Sequence, residues 1–422
     1  MSHRDSMAAY AIAGTSGSTI TIQASFTRAA DDPPNAEIRA LPIVAPQPPS
    51  WWLEPAVSAS PAAISVLYAW YLRFLSAVAA GAAGDALGAV KPGGVTFGMN
   101  GTSGFETFEL EGSRIAERGV GVHDVTWRWQ YRPDAGAPWR DFAESRHRFY
   151  AVLDVPKAPW VQADASTDTQ LPWTDVLEYA CRWATGARTA DEAATLVTIA
   201  VNALGNGLIE YGCPILAVSQ YSMPFFNCTA FLERLRGEIG NGPYVNCSDC
   251  ATIVATFANA LGCDLWQSKM AGLAPFALNP IRAIGSPTWQ IACGWGGFNY
   301  HEVAWKGACT ASEQIFDACL YVDGDANPAL APHTPLLGPP GVARRSSELR
   351  AAALDPATKV GDLASCATST LPWRRGTHSR SGAGGHASTR TSSCGGSSCR
   401  LTSSPASFRI GSSMSTARPG HR

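Results

Sequence analysis

The stretch Tyr244–Leu265, YVNCSDCATIVATFANALGCDL, decides the fold of the central part of the chain. Asn246 and the residues after it suit a helix cap and first turn, and Gly262 is a typical stop signal. Cys247 is therefore expected at a helix N-terminus, where the partial positive charge favours a nucleophilic thiolate. The apolar residues recur at the spacing of one helix face: Ile253, Val254, Phe257, Ala258 and Leu261.

A cysteine nucleophile needs a base and usually an orienting group, and both kinds of residue follow in the chain. The run FNYHEVAW, residues 298–305, has the aromatic and apolar character of a strand and contains His301. Further on, Asp317 opens a second strand-like run, DACLYV. Two antiparallel strands joined by a turn would place His301 beside Asp317, in an arrangement of nucleophile, base and orienter. Asp323 and Asp325 are alternative orienters, but the spacing favours Asp317.

The motif C-x-D-x-A beginning at Cys247, followed by His301 and Asp317, resembles the transglutaminase-like superfamily over residues 170–325. The resemblance implies a papain-like α+β domain, in which the helix that carries the cysteine packs on an antiparallel sheet that carries the other two residues. It also implies acyl chemistry on a peptide or protein amide. Cys247 would attack the carbonyl, His301 would transfer the proton and Asp317 would hold the imidazole. The thioacyl intermediate would then pass to water or to an amine.

The resemblance also concerns the surroundings of the nucleophile. It implies an oxyanion donor at the backbone N–H of Cys247, with Tyr244 or Asn246 as candidates for a second donor. Two features depart from the family pattern: Glu302 stands where an aliphatic or small residue is usual, and a strand-like run continues after Asp317. The alternative is therefore a catalytically silent transglutaminase-like protein that acts as a binding or structural module.

Cys247 and Cys250 also form a C-x-x-C motif, which occurs in zinc sites and in redox pairs. A zinc site needs a second pair at similar spacing, but the other cysteines are scattered, and Trp305 occupies the place of the second His of a zincin motif. A thioredoxin-type pair needs a neighbouring βαβ unit, which the pattern lacks. We therefore predict no metal and no cofactor, and we interpret Cys250 as a small apolar residue inside the helix. The twelve cysteines are expected to be thiols rather than a disulfide framework.

The region before this domain, residues 1–155, is predicted to be a β-rich N-terminal domain. Residues 19–26, TITIQASF, are predicted as an edge strand, and residues 125–131 alternate aromatic and polar side chains as in an antiparallel sheet of the sandwich type. Residues 61–90 are rich in Ala and nearly uncharged. They predict a buried helix rather than a membrane span, because a charge such as Arg73 is costly inside a bilayer.

Residues 156–328 are predicted to form the transglutaminase-like domain, with one helix after Trp173 and another over about Ala190–Leu204. Residues 329–422 are predicted to be a Pro-rich linker and a disordered tail rich in Arg, Ser and Gly. Residues 368–422 contain eight Arg and no Lys, Asp or Glu, a composition also expected of a frameshifted reading of GC-rich DNA.

Composition limits the class of protein. The net charge is −2, with 32 basic and 34 acidic residues, which argues against nucleic-acid binding by the folded part. With no signal-peptide pattern at the start, we expect a cytoplasmic protein that does not enter the membrane. The sequence as a whole predicts an α+β protein, and it gives no oligomeric state.

Overall fold

The computed structural model describes the chain over fourteen ranges. They are residues 10–12, 20–28, 33–43, 86–160, 172–223, 225–270, 276–277, 279–290, 292–295, 297–306, 314–323, 330–333, 344–345 and 407–409.

The helices and strands divide into a β-rich first part of the chain and a second part that contains both helices and strands. The strands of the first part are β1 (Tyr10–Ile12), β2 (Thr21–Ala24), β3 (Asn35–Pro42), β4 (Ala89–Thr96), β5 (Glu106–Glu111), β6 (Gly121–Arg132) and β7 (Arg140–Val152), with helix α1 (Ile115–Arg118). The helices of the second part are α2 (Thr174–Trp183), α3 (Ala190–Ala203), α4 (Cys228–Leu235) and α5 (Cys247–Ala260). Its strands are β8 (Glu210–Tyr211), β9 (Tyr244–Val245), β10 (Trp266–Met270), β11 (Phe276–Ala277), β12 (Arg282–Ala283), β13 (Gly297–Phe298), β14 (His301–Trp305), β15 (Gln314–Phe316), β16 (Leu320–Tyr321), β17 (Arg344–Arg345) and β18 (Ser407–Arg409).

The strands of the first part form one curled sheet, which β18 from the C-terminal region extends, in the order β1-β7-β6-β3-β4-β5-β2-β18. Its neighbours pair antiparallel except β1 with β7 and β18 with β2. Phe108 on β5 and Trp129 on β6 are separated by two strands, yet their ring centroids lie 6.4 Å apart, so the sheet folds over its own aromatic core. The strand expected at residues 19–26 is confirmed as β2, but it does not lie at the edge of the sheet, because β5 and β18 pair with its two sides. The expectation of a sandwich is corrected, because these strands form one continuous curled sheet, whereas a sandwich consists of two separate sheets.

The Ala-rich stretch 61–90 differs from its prediction at its end. Ala89 and Val90 begin strand β4 and pair with Glu111 and Leu110 of β5, so the expected helix is wrong for these two residues. Ladder hydrogen bonds and the burial of Val90 outweigh the helix propensity of the run. Residues 61–85 lie outside the described residues.

The second part packs helices against the four-stranded antiparallel sheet β10-β14-β15-β17. Helix α5 is buried along its whole length and lies against β14, whose residues are also all buried. Helices α2 and α3 confirm the helices expected after Trp173 and over about Ala190–Leu204. The chain is therefore an α+β protein.

The two parts share backbone contacts. Val120 donates its N–H to the carbonyl of Ala187, and Leu153 donates to the carbonyl of Leu261 at the end of α5. The Trp160 indole donates to the Thr256 carbonyl in the middle of α5. A buried cluster accordingly takes residues from both sides of the predicted boundary at 155/156.

The C-terminal region contains two short strands where a linker and a disordered tail were predicted. Arg344–Arg345 pairs with Gln314 and Ile315 of β15, and Ser407–Arg409 pairs with β2, so the prediction is wrong at these five residues. Sheet edges present open N–H and C=O groups that pair with backbone whatever its side chains. In the part of the chain that the structure describes, no helix is long and apolar enough to cross a membrane.

Candidate active site

Cys247 is the first residue of helix α5, as its sequence context predicted. Asn246 caps the helix: its side-chain oxygen accepts the N–H of Asp249, and the Asp249 carboxylate accepts the N–H of Asn246. This reciprocal pair fixes the first turn and leaves the partial positive charge of the helix at the thiol. Cys247 is 5% exposed.

His301 begins β14 and lies beside Asp317, whose carboxylate oxygen Oδ2 is 2.7 Å from Nε2. Both side chains are buried. The other oxygen, Oδ1, accepts the backbone N–H groups of Cys319 and Leu320. Asp317 therefore has a fixed orientation. It follows β15 and does not open a strand as predicted; the next strand, β16, pairs with β12 instead.

The ionisation of His301 is set by two neighbours. Burial disfavours the imidazolium, but the charge and hydrogen bond of Asp317, together with Cys247, outweigh it and raise the pKa of His301 to about 10. Nε2 is taken by Asp317, so Nδ1 is the nitrogen that remains for the thiol; Nδ1 is buried and has no hydrogen-bond partner within the described residues. The structure thus brings the three predicted residues together in the order Cys247, His301, Asp317.

Tyr211 is a neighbour of the nucleophile that sequence analysis missed. Burial, followed by the charge of Cys247, raises the pKa of its phenol. Its ring stacks on Phe298 with centroids 6.2 Å apart, and Phe298 in turn stacks on His301. Tyr211 reaches this place because β8 pairs in parallel with β9, the strand that leads into Cys247. A two-residue strand carries no periodic signal, so its pairing was not predictable.

The candidate oxyanion donors differ in whether their hydrogen-bonding groups already have partners. The side chain of Asn246 is committed to its own helix and to the carbonyl of Ala217, which it reaches at 2.9 Å. Tyr244 lies in β9 and is only partly buried. The backbone N–H of Cys247 sits in the first turn of α5, where such groups have no partner within the helix.

Asp249 anchors the loop that passes the nucleophile. Its buried carboxylate accepts the backbone N–H groups of Gln220, Tyr221 and Ser222, and the hydroxyl groups of Ser219 and Ser222. A carboxylate with this number of donors holds the loop in one conformation against the start of α5. Asp249 is therefore a structural residue here.

A disulfide joins Cys213 to Cys293 and links the loop after Tyr211 to the loop before Phe298. This pair corrects the prediction of thiols throughout. The spacing of 80 residues gave no sign of the pairing. The cysteines that the structure describes as free are all buried: Cys181, Cys228, Cys247, Cys250, Cys263 and Cys319.

The remaining predicted residues have other partners. Asp323 pairs with His333 at 2.6 Å, which removes it as the orienter of His301, and Asp325 lies outside the described residues. Glu302 is buried and accepts a hydrogen bond of 2.5 Å from the hydroxyl of Ser248. It therefore ties the second residue of α5 to β14.

Cys250 lies one turn below Cys247 and contacts Cys319. The interaction with Cys319 lowers the pKa of Cys250, but burial and the charges of Asp249, Asp317 and Cys247 together outweigh it, and the pKa of both thiols is raised. Neutral thiols pack as small apolar groups, in keeping with the role expected for Cys250. Within the described ranges, no group of three or more His, Cys, Asp or Glu side chains is arranged to hold a metal ion.

Comparison with protein-family models and with curated proteins found no match for this chain.

Proposed function

We propose that the protein performs thiol-dependent amide chemistry, as a peptidase, amidase or acyl transferase, with Cys247 as nucleophile. The observation that carries the proposal is the buried His301–Asp317 hydrogen bond, together with the electrostatic influence of Cys247 on His301 and the position of the thiol at the start of a helix. An imidazolium and a helix N-terminus both favour the thiolate, which is the nucleophilic form. A central helix bearing Cys against an antiparallel sheet bearing His also supports membership of the transglutaminase-like superfamily and its papain-like fold.

The proposed reaction has two halves. The thiolate attacks a peptide or protein amide carbonyl, the oxyanion forms near the backbone N–H of Cys247, and His301 gives its proton to the leaving nitrogen. In the second half His301 takes a proton from water or from an amine, which attacks the thioester and releases Cys247. Asp317 keeps the ring oriented and supports its positive charge throughout.

Selective alkylation tests the proposal. At pH 6, iodoacetamide should add one carbamidomethyl group at Cys247, observed by intact mass and peptide mapping, because burial raises the pKa of the other free cysteines described and neutral thiols react slowly. Labelling should fall sharply in His301→Ala. Labelling spread over several cysteines, or labelling unchanged by His301→Ala, would overturn the proposal that Cys247 is a catalytic nucleophile. The alternative, a catalytically silent binding or structural module, would then be favoured.

The cytoplasmic location stays a prediction. The Cys213–Cys293 disulfide argues against a cytoplasmic location, because disulfides persist mainly in oxidising compartments.

A further inference from the structure

Two loops flank the candidate nucleophile and are covalently joined. One follows Tyr211 and contains Cys213; the other contains Cys293 and leads to Phe298, and the disulfide links them. The rings of Tyr211 and Phe298 stack at their bases. The first loop is also held to α5, since the Asp249 carboxylate accepts three of its backbone N–H groups.

These loops expose large apolar side chains beside the site. Their exposed fractions are 74% for Leu216, 57% for Val218, 64% for Met223 and 44% for Trp295. We call these four residues the apolar rim. Exposed apolar groups gathered on loops around a reactive centre commonly mark a binding surface.

The rim is held in a strained shape. Leu216 and Ala217 are both left-handed, with φ of 57° and 49°, a conformation that non-glycine residues rarely adopt. The side chain of Leu216 is exposed, so burial does not offset the energetic cost of this backbone conformation. The strain is maintained from outside: the Asn246 side chain donates to the Ala217 carbonyl, and the Ala217 N–H donates to the Gly212 carbonyl. Strain held in this way beside a catalytic centre indicates that the conformation serves a function.

The surroundings of the rim are also neutral. Residues 211–232 and residues 283–300 contain no Asp, Glu, Lys, Arg or His, in a chain with 16% charged residues. A charged partner would lose hydration on such a surface without gaining an opposite charge, whereas an apolar partner would gain burial.

We propose that the apolar rim binds an uncharged, apolar side chain adjacent to the reactive amide of a peptide or protein substrate. The inference rests on the proposed function, because it assigns the rim to the substrate of Cys247. The loop that carries Leu216 and Val218 continues into the segment that the Asp249 carboxylate anchors, and Asp249 lies two residues after Cys247, so this loop is held to the first turn of the helix that begins with the nucleophile.

The experiment uses two short peptides that carry the same chloroacetamide group, one with Leu and one with Glu at the neighbouring position. Labelling of Cys247 is followed by intact mass, and the ratio of the two rates is the measured quantity, because it does not depend on the reactivity of the thiol. The wild-type ratio should favour Leu by about tenfold. The double variant Leu216→Asn/Trp295→Ser should bring the ratio near one; Asn tolerates the left-handed conformation, so the backbone is retained. Met99→Ser is the matched control, since Met99 is fully exposed in a turn that follows β4.

The outcomes separate the two proposals. If iodoacetamide does not label Cys247 in a His301-dependent way, the proposed function fails. If it does, a wild-type ratio near one, or a ratio that the double variant leaves unchanged, overturns the rim proposal alone. A dimer in sedimentation that the double variant dissociates would assign the rim to a second copy, and vesicle binding lost in that variant would assign it to a lipid surface; either result overturns the proposal.

Discussion

The charge on His301 depends chiefly on one carboxylate. A buried imidazole alone would be neutral near pH 7, because burial disfavours its charged form. The Asp317 contact and the thiol reverse this effect and raise the pKa of His301 to about 10. The ring is therefore protonated through the physiological range, and it supports a thiolate on one side while it is held by a carboxylate on the other.

Asp317→Asn should change the pH at which Cys247 reacts. The substitution keeps the shape of the side chain but removes the main group that raises the pKa of His301. Iodoacetamide labelling followed from pH 6 to 9 should fall at pH 6 by about tenfold or more in the variant relative to the wild type, where His301 stays charged. Labelling rates across this range test the expectation.

Asp323→Asn is the matched control, because Asp323 is the carboxylate of the separate pair with His333. It should retain the wild-type profile while circular dichroism confirms the fold. An Asp317→Asn profile identical to the wild type would show that Asp317 does not set the charge of His301.

Tyr211→Phe should separate alkylation from acylation. Alkylation forms no oxyanion, whereas attack on an ester or amide does. The phenol of Tyr211 is buried and its pKa is raised by burial and by the charge of Cys247, so we test it as a donor to the oxyanion. Release of nitrophenolate from p-nitrophenyl acetate should slow by about tenfold or more, while iodoacetamide labelling changes little. Tyr131→Phe, on β6 of the first sheet, is the control and should leave both rates unaltered; a normal ester rate in Tyr211→Phe would exclude the donor role.

At the scale of elements, the start of α5 organises the site more than its sheet does. Asn246 and Asp249 cap the helix, and the same two side chains hold the neighbouring loop through Ala217 and residues 219–222. The cap and the loop therefore form one hydrogen-bonded unit around Cys247. A defect in the cap is expected to alter the loop as well.

Asp249→Asn tests this unit. In the variant, the side-chain NH2 of the new asparagine faces backbone N–H groups that need an acceptor. The negative charge that these backbone groups stabilise in the wild type is also lost. The free energy of unfolding should fall by about 3 kcal/mol or more, measured by urea denaturation. Glu109→Gln is the comparison, because Glu109 pairs with Lys91 at the surface and should change stability by less than about 0.5 kcal/mol. Equal small effects in both variants would contradict an anchoring role for Asp249.

The elements also show which features the sequence could reveal. Helix α5 and strand β14 were predictable because their apolar residues recur at a clear period and the cap residues stand at the right place. The position of Asp317 was not, because β15 and β16 are too short for a periodic signal and pair with different strands. His301 and Asp317 were nonetheless expected to meet, since the resemblance fixed their order and spacing.

At the scale of the molecule, the parts that sequence reasoning missed are long-range contacts. The curl of the first sheet depends on strands distant in sequence, and β4 takes two residues from a run with helical composition. The Cys213–Cys293 pair is of the same kind: local spacing contains no information about which thiols meet across 80 residues. Such contacts follow from the packing of the whole chain rather than from any local pattern.

The disulfide should contribute to both stability and the shape of the site. Protein kept under oxidising conditions should have an intact mass about 2 Da below that of the fully reduced chain, because one bond replaces two thiols. Cys213→Ser/Cys293→Ser should lower the free energy of unfolding by about 2–4 kcal/mol, since the bond closes a long loop in the unfolded chain. In that variant the two loops are no longer tied, so the preference of Cys247 for the Leu peptide over the Glu peptide should weaken while adduct formation at Cys247 persists. An oxidised mass equal to that of the reduced chain would show that the bond does not form, and the cytoplasmic prediction would then gain support over an oxidising compartment.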